Sequence, residues 1–440
     1  MVVLEVPSSA AGTRRVSVAV AATGLSSFAL LYAPQPVLPQ LAAAYRLDPG
    51  TASLAIGVAT ASLAVAVLPL AWFAGAVGRR RVIVWSVVLS AVIGLLLPLA
   101  PSFPVLLGMR AVQGVAIAGF AGVAAAYLAD TLGTARLAGA VGAMIAGNSV
   151  GGMLGRLGAG FAAEPLGWHG ALASVAAVAL ACALFTAATL PRDPRTSTSR
   201  PVSTGDTRTA PHAGAATRAA GGARADARTR ADHGGLGRVG LVVPVMVGAL
   251  GMGAFVALYN AAGFRLAAPP LSLAPAAASL VFLSYAMGTA SSAAAGRLTA
   301  RLGRTPALVT ALAVTTAGSV LTVSASLPVV VAGFAVLTAG FFAAHAIANA
   351  WVTADAPPPA RGRAAGLYTL CYYLGSGAGG TAGAVVYGHA GWTWLIVMTS
   401  AWLLLAALIV LVATRRPALP TPATEDGSAK AQETHRTTSG

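Results

Sequence analysis

Arg110 is the most unusual polar residue of the sequence, because it carries a permanent charge inside a long apolar run. A guanidinium at the centre of a membrane-length run costs roughly 3 kcal/mol on insertion scales, so it is tolerated only where it faces a polar or water-filled interior. Gln113 follows three residues later and shares its helix face. The pair could contact a polar or anionic solute in such an interior. The alternative is a structural arginine that donates to backbone carbonyl groups.

A histidine inside an apolar run is the second candidate for chemistry, since imidazole can exchange a proton near neutral pH. Of the six histidines only His345 lies well inside such a run, and Asn349, four residues on, shares its helix face. All twelve Asp and Glu residues lie outside the interiors of the runs. Proton transfer would therefore depend on His345, on Asp130 near the end of a run, or on a proton that moves with a solute. A hydrogen-bonded structural histidine fits the sequence equally well.

The composition requires a membrane protein. The chain has 440 residues, of which 57% are hydrophobic and 9% charged. Soluble domains carry about 25% charged residues, so this chain has too little charge to cover a surface in water. Both cysteines, Cys182 and Cys371, lie in apolar runs, which favours free thiols over a disulfide framework.

Twelve apolar runs are each about 20 residues long, which is enough to span a bilayer as a helix. They cover residues 17–40, 52–74, 82–100, 104–128, 137–161, 169–190, 240–263, 275–296, 305–326, 328–352, 364–387 and 391–413. One joint is long, rich in Arg, Thr, Ala and Gly, and without apolar periodicity, as is typical of disordered linkers. We predict an all-α membrane protein with an N-terminal segment 1–16, a six-helix bundle 17–190, a disordered linker 191–238, a second bundle 239–413 and a disordered tail 414–440.

The basic residues predict the orientation. Twenty-four of the 28 Lys and Arg residues fall on one side of the membrane if the twelve runs alternate in direction. Cytoplasmic segments carry such an excess of positive charge. We therefore expect both termini in the cytoplasm and an even number of membrane helices. The same bias explains the net charge of +16 without a nucleic-acid partner.

The two halves of the sequence repeat. Gly78–Arg79 matches Gly303–Arg304 and Ala129–Asp130 matches Ala354–Asp355, both at an offset of 225 residues, and Gly167–Trp168 matches Gly391–Trp392 at 224. Because six is even, two copies of a six-helix unit insert in the same orientation. Two parallel six-helix repeats predict alternating access to a site between the halves near the middle of the membrane.

Three motifs resemble those of the major facilitator superfamily, and the likeness extends over essentially the whole chain. They are the loop residues Gly78, Arg79 and Arg80, their second copy Arg301, Gly303 and Arg304, and the helix 4 pattern of Arg110, Gln113 and Gly114. Gly75 and Ala300 stand where the family has the acidic residue of its cytoplasmic latch. Topological positive charge alone is the alternative explanation for the arginines of the loops.

A glycine-rich pattern in the fifth predicted run, residues 137–161 (helix 5), resembles the antiporter motif of that family, with Asn148 in place of a proline. It contains Gly147, Asn148, Gly151, Gly152 and Arg156. Glycines four residues apart let a neighbouring helix pack closely. The resemblance implies a hinge and a tight seal between the halves, whereas general helix packing is the alternative.

Further stretches resemble the arabinose-efflux-permease-like branch of the drug/proton antiporters. They contribute Tyr32 and Gln35 on helix 1, Tyr259 and Asn260 on helix 7, and Tyr372 on helix 11. With Arg110, Gln113, His345 and Asn349, we expect these side chains to line the path of substrate and proton. A place in the interfacial aromatic belt is the alternative for Tyr372.

The resemblance implies a secondary transporter that couples proton movement to the efflux of a small neutral or anionic organic solute. Uptake, as a symporter or uniporter, is the alternative, and the lack of acidic residues inside the runs disfavours strongly cationic substrates. No metal or nucleophile cluster suggests an enzyme, and no phosphate-binding loop suggests direct use of ATP. We expect no catalytic residue, metal or cofactor, and a monomer in the lipid bilayer. On this interpretation, Arg110→Ala stops transport without loss of protein.

Overall fold

The computed structural model describes residues 10–132, 134–191, 236–357 and 360–414, and all regular structure in these ranges is helical. A bilayer favours helices because every backbone polar group is then satisfied within the segment. The helices are α1 Ala10–Tyr32, α2 Leu38–Tyr45, α3 Pro49–Val77, α4 Arg79–Leu96, α5 Phe103–Leu132, α6 Thr134–Thr189, α7 Leu236–Ala267, α8 Pro275–Ser279, α9 Tyr285–Leu302, α10 Arg304–Leu321, α11 Leu327–Asp355 and α12 Arg361–Thr414. The predicted linker 191–238 and tail 414–440 fall almost entirely outside the described residues.

Nine segments in the described part of the chain are long and apolar enough to cross a membrane. Two of them, Gly139–Thr189 and Arg363–Thr414, have 51 and 52 residues. At 1.5 Å per residue each would extend about 75 Å, more than twice the hydrocarbon thickness of about 30 Å. Each is interrupted by a glycine with non-helical backbone angles, Gly167 (φ 63°) and Gly391 (φ 80°). If each of these two segments crosses the membrane twice, the nine segments give eleven crossings, and the 18-residue α10 would supply the twelfth that the sequence predicts.

The two glycine breaks are themselves related by the sequence repeat, since they lie at matching positions of the two halves. A positive φ is strained for residues with a Cβ atom, so glycine is the residue suited to these corners. The first half of the protein therefore consists of α1–α6 and the second of α7–α12. Each half has its own buried apolar core.

Prolines break the first crossing between α1 and α2. Pro34 precedes the short turn Gln35–Val37, and Pro36 lies within it. Since proline has no N–H group, the carbonyl group of Leu30 loses the donor that a continuous helix would supply from residue 34. This orphan acceptor determines where Arg110 binds, as described below. After α2, Asp48 caps α3 by accepting hydrogen bonds from Thr51, and these bonds lower the pKa of the Asp48 carboxyl group.

Glycine ladders bring the backbones of two helix pairs together. On α6, Gly147, Gly151 and Gly155 pack on the backbone of Ala21, Leu25 and Ala29 of α1. On α12, Gly375, Gly379 and Gly383 pack in the same way on Ala249, Gly253 and Ala257 of α7. Close packing by glycines four apart is thus observed. In this conformation each pair lies within one half, so these contacts do not support the predicted seal between the halves, which stays a prediction. The second ladder was not singled out from the sequence.

We expect Gly151→Ala to destabilise the protein by about 1–3 kcal/mol, the usual cost of overpacking. A methyl group there would overlap the backbone of Leu25, which cannot swing away as a side chain would. Gly142→Ala on the same helix is the matched control, since no atom lies within 4 Å of the added carbon. The control should leave stability unchanged or raise it slightly, because alanine has the higher helix propensity. Thermal unfolding in detergent measures both, and equal transitions would contradict the tight contact.

The two halves meet tightly at one end of the bundle, which we call the closed end. There Pro39 packs on Gly263, Pro49 on Gly388, Val385 on Gly50 and Ser279 on Gly160, each pair joining the two halves. Further along α6 and α9, a pocket of about 260 Å³ lies between the halves. The buried polar residues described next lie beside this pocket.

Candidate functional site

Arg156 of α6 is the centre of the polar contacts between the halves. Its side chain is 2% exposed. Its Nε donates to Gln35 Oε1 at 2.5 Å and its Nη1 donates to the carbonyl oxygen of Gly152 at 2.7 Å. Its Nη2 forms no hydrogen bond with the described residues. The sequence predicts Arg156 as part of a hinge on α6, whereas the structure places it in the interior with residues of the predicted pathway.

Gln35 connects Arg156 to the other half of the protein. Its Nε2 donates to Asn260 Oδ1 at 2.7 Å, and both amides are fully buried. Gln35 and Asn260 are 225 residues apart, the offset of the internal repeat. The two predicted residues therefore form a hydrogen bond between equivalent positions of α1–α2 and α7. Asn260 Nδ2 faces Gly380 and has no hydrogen-bond partner among the described residues.

Aromatic rings surround the Arg156 guanidinium. Its Cζ lies 3.9 Å from the ring centroid of Tyr32, 4.6 Å from that of Tyr285 and 5.4 Å from that of Phe282. Each such contact stabilises a cation by about 0.5–2 kcal/mol. The only ion pairs within the described residues are Arg79–Asp130 and Arg304–Asp355, at the opposite end from the closed one. Arg156 is thus a buried cation held by rings and neutral oxygens, without a carboxylate in the described part of the chain.

Arg110 has a different set of partners. It is fully buried, and its Nε donates to Ala55 O at 2.7 Å, its Nη2 to Leu31 O at 2.6 Å, and its Nη1 to Leu30 O at 3.1 Å and Gln113 Oε1 at 2.5 Å. It therefore supplies the donor that Pro34 withholds from Leu30. A cation at the carboxyl end of α1 also interacts favourably with the helix dipole.

Gln113 completes this arrangement by donating from Nε2 to Ser90 O at 2.8 Å. The motif on α5 thus joins α1, α3 and α4 within the first half. This geometry is that of the structural arginine which the sequence analysis held as the alternative. In this conformation Arg110 and Gln113 present no polar atom to the pocket between the halves, so their place on the predicted pathway stays a prediction without support from contacts.

His345 and Tyr368 form a second polar pair, inside the second half. His345 Nδ1 lies 2.8 Å from Tyr368 Oη, and the rings of Tyr372 and Phe341 flank the imidazole. A small cavity of about 10 Å³ adjoins both side chains, which is room for about one water molecule. Asn349, predicted to act with His345, is exposed on α11.

Further tyrosines lie around these two polar groups. Tyr372 is partly buried where the apolar cores of both halves meet. Tyr259 is fully buried and its hydroxyl group bonds to those of Ser284 and of Thr338. Tyr285, which the sequence analysis did not single out, stacks on Arg156 and lines the pocket between the halves. No periodicity of the sequence distinguishes Tyr285 from a core aromatic residue.

The comparisons with known proteins agree with this architecture. The family model described as the Major Facilitator Superfamily matches residues 20–260 and 245–438. The chain belongs to the major facilitator superfamily. It is 38% identical over 397 residues to the inner membrane transport protein YnfM of Escherichia coli, covering 90% of this chain and 89% of that one. It is also 30% identical over 420 residues to the uncharacterized MFS-type transporter YybF of Bacillus subtilis, covering 94% and 97%.

Solved structures confirm the major facilitator fold of this transporter. A bacterial homolog of the human lysosomal transporter Spinster, in an inward-facing and occupied conformation, matches with a TM-score of 0.74 at 16% identity, over 91% of this chain and 96% of that one. A D-xylose–proton symporter matches with a TM-score of 0.67 at 17% identity, over 90% and 97%. The predicted all-α membrane fold is therefore confirmed, and the family match makes the protein a multi-pass membrane protein of a transporter family.

The loop motifs of the superfamily contribute to two equivalent ion pairs in this transporter. Arg79 pairs with Asp130, and Arg304 pairs with Asp355 at 2.7 Å. Trp351 also donates to Asp355 at 2.7 Å. Both pairs are partly exposed, so each contributes little to stability. The sequence analysis noted these four residues as repeats without pairing them.

The remaining loop residues have separate roles. Arg80 donates to the carbonyl groups of Ala187 and Leu190, both at 2.9 Å, and so holds the end of α6. Gly78 and Gly303 adopt positive φ at the turns before α4 and α10. Arg301 is exposed at the end of α9.

Proposed function

We propose that this transporter carries out proton-coupled efflux of a small neutral or anionic organic solute by alternating access. It would act as a monomer in the bacterial inner membrane, with both termini in the cytoplasm. The observation that carries the proposal is the buried guanidinium of Arg156 between the halves, unpaired with any described carboxylate. Burying a cation in this way is costly, and a solute that accepts hydrogen bonds would compensate for it.

The arrangement of the halves supports alternating access. Contacts across the closed end rely on glycines, prolines and small side chains. The Gln35–Asn260 hydrogen bond crosses the interface on one side of Arg156, and the pocket lies on the other. Rocking of the halves would break the first and close the second, which exposes the site to the opposite side. Efflux, rather than uptake, is supported by the likeness of the helix 5 pattern to the antiporter motif.

His345 is the candidate proton carrier, since the described acidic residues lie away from the interface. Its Nδ1 contact with the Tyr368 hydroxyl group and the adjoining cavity, which has room for about one water molecule, give it two groups that could exchange a proton. A protonated His345 would have no carboxylate partner among the described residues in this conformation. Its positive charge would therefore be costly here and would favour a conformation in which His345 is better solvated. Proton binding and rocking would then be linked.

Transport in inside-out vesicles, with and without an imposed proton gradient, tests this function. In such vesicles efflux from the cell corresponds to movement of solute into the lumen. We expect this inward movement to be accelerated by the proton gradient. His345→Ala should remove the acceleration while leaving downhill exchange of the solute. His389→Ala is the matched control, because His389 is exposed and its one hydrogen bond among the described residues is to the carbonyl oxygen of Val385. A gradient response that survives in His345→Ala removes this residue from the coupling step. Gradient-driven movement of solute out of the vesicle lumen would instead favour uptake by the cell.

A further inference from the structure

We infer that the solute is a singly charged organic acid, with its carboxylate on Arg156 and its apolar body in the pocket beside Tyr285. This inference rests on the proposed transport function and names the substrate class of the same site. It comes from three features of the site, namely the direction of its hydrogen bonds, the balance of its charges and the lining of its pocket.

The hydrogen bonds run in one direction because arginine can only donate. Donation from Arg156 Nε fixes the Gln35 amide with its oxygen towards Arg156. Gln35 Nε2 must then donate to Asn260 Oδ1, and this leaves Asn260 Nδ2 as a buried donor without a partner among the described residues. Arg156 Nη2 is a further unused donor. The unpartnered nitrogen atoms of this network are all donors, and this favours a ligand that accepts hydrogen bonds.

The charge of the site calls for one negative charge. Arg156 contributes a single positive charge, and Arg110 directs its donors to three backbone carbonyl groups and Gln113. A neutral solute would leave the guanidinium uncompensated, and a dianion would bring a second, unpaired charge into the ring of Tyr32, Tyr285 and Phe282. Carboxylate is the anion whose planar geometry matches the guanidinium.

The pocket accounts for the rest of the molecule. Tyr285 separates it from Arg156 and belongs to both. Its other lining residues are mainly apolar: Ser149, Val150, Met153, Ala286, Thr289 and Phe342. Its volume of about 260 Å³ lies just below the usual range of ligand pockets, about 300–1,000 Å³. A compact acid with an aromatic ring or a short alkyl chain fits this description.

Thermal unfolding of the purified full-length transporter in detergent tests the inference with defined probes. The probes are benzoate, octanoate and indole-3-acetate, each paired with its neutral amide, and phthalate as a dianion. A ligand that binds the folded state raises the midpoint, and we expect at least one acid to raise it by about 2 °C or more while its amide does not. Phthalate should have a smaller effect than benzoate. Equal shifts for acids and amides, or no shift with any of the three acids, would overturn the inference.

Gln35→Glu is the decisive variant. It places a carboxylate where Oε1 now lies 2.5 Å from Arg156 Nε, so the protein supplies its own counter-ion. We expect the response to the acids to disappear. The second carboxylate oxygen replaces the Nε2 donor, so the Asn260 amide must turn over and donate from Nδ2 to keep the hydrogen bond between the halves. Gln40→Glu is the matched control, because Gln40 is a partly buried residue of α2 that donates to Ala163 O and forms no hydrogen bond with Arg156. A Gln35→Glu protein that still responds to the acids would also overturn the inference.

The outcome is separable from that of the transport experiment. Binding of acids by purified protein without flux in vesicles would contradict the proposed transport function and leave the ligand class standing. Flux of a neutral solute, without charge-dependent binding, would contradict the ligand class and leave the transport function standing.

Discussion

Arg156→Gln is expected to lower the rate of solute transport at least about 30-fold. Glutamine can still donate one hydrogen bond, but it removes the positive charge that the rings of Tyr32 and Tyr285 surround. Loss of one partner from a buried, hydrogen-bonded charge pair costs about 2–5 kcal/mol, which corresponds to a 30-fold loss or more. Initial rates in inside-out vesicles, normalised to the amount of folded protein, measure the effect.

Two further variants make this result specific. Arg156→Lys keeps the charge but loses the Nε donation to Gln35 and the planar contact with the rings, so we expect an intermediate rate. Arg265→Gln is the control, because Arg265 is a partly buried arginine of α7 that donates to Ser324 O outside the site. Its rate should stay within about twofold of the wild type, as is usual for substitutions away from such features. Normal transport by Arg156→Gln would refute the role of this residue.

The repeat could be predicted from the sequence because its evidence is one-dimensional. Matching residues at a nearly constant offset, such as Gly167 and Gly391, require only counting along the chain. The structure places both at equivalent breaks of α6 and α12. The same offset separates Gln35 from Asn260, whose hydrogen bond the sequence analysis did not anticipate. A repeat predicts that two positions are equivalent, but not that they touch.

The roles of the two arginines could not be predicted, because each role depends on which helix face meets which neighbour. Arg110 and Arg156 both lie in apolar runs, and either could face a polar interior. The break at Pro34 decides the case of Arg110, because it leaves an acceptor within reach of α5. The glycines before Arg156 bring α6 against α1, and this places the guanidinium beside Tyr32 and Gln35. Both causes are visible in the sequence, but their consequences depend on packing.

Arg110→Met is expected to reduce the amount of folded protein severely, rather than to produce a stable but inactive transporter. Methionine fills a similar volume but donates nothing, so Ala55 O, Leu30 O, Leu31 O and Gln113 Oε1 would all lose a donor. Ala55 O lies within α3 and keeps its backbone partner, so the cost falls on the other three oxygens. A buried polar group left unsatisfied costs about 1–3 kcal/mol, and native proteins are stable by only about 5–15 kcal/mol. Size-exclusion profiles and thermal unfolding of the purified protein measure the loss.

Arg156→Met is the matched comparison, because the same chemical change there removes a donor from two oxygens, Gln35 Oε1 and Gly152 O. The latter is in a helix and keeps its backbone partner. We therefore expect Arg156→Met to fold and fail in transport, and Arg110→Met to fail in folding. If Arg110→Met instead gave a well-folded protein without transport, the carbonyl contacts would be incidental, and Arg110 would belong to the solute path as the sequence predicts. The two arginines thus separate stability from function within one type of side chain.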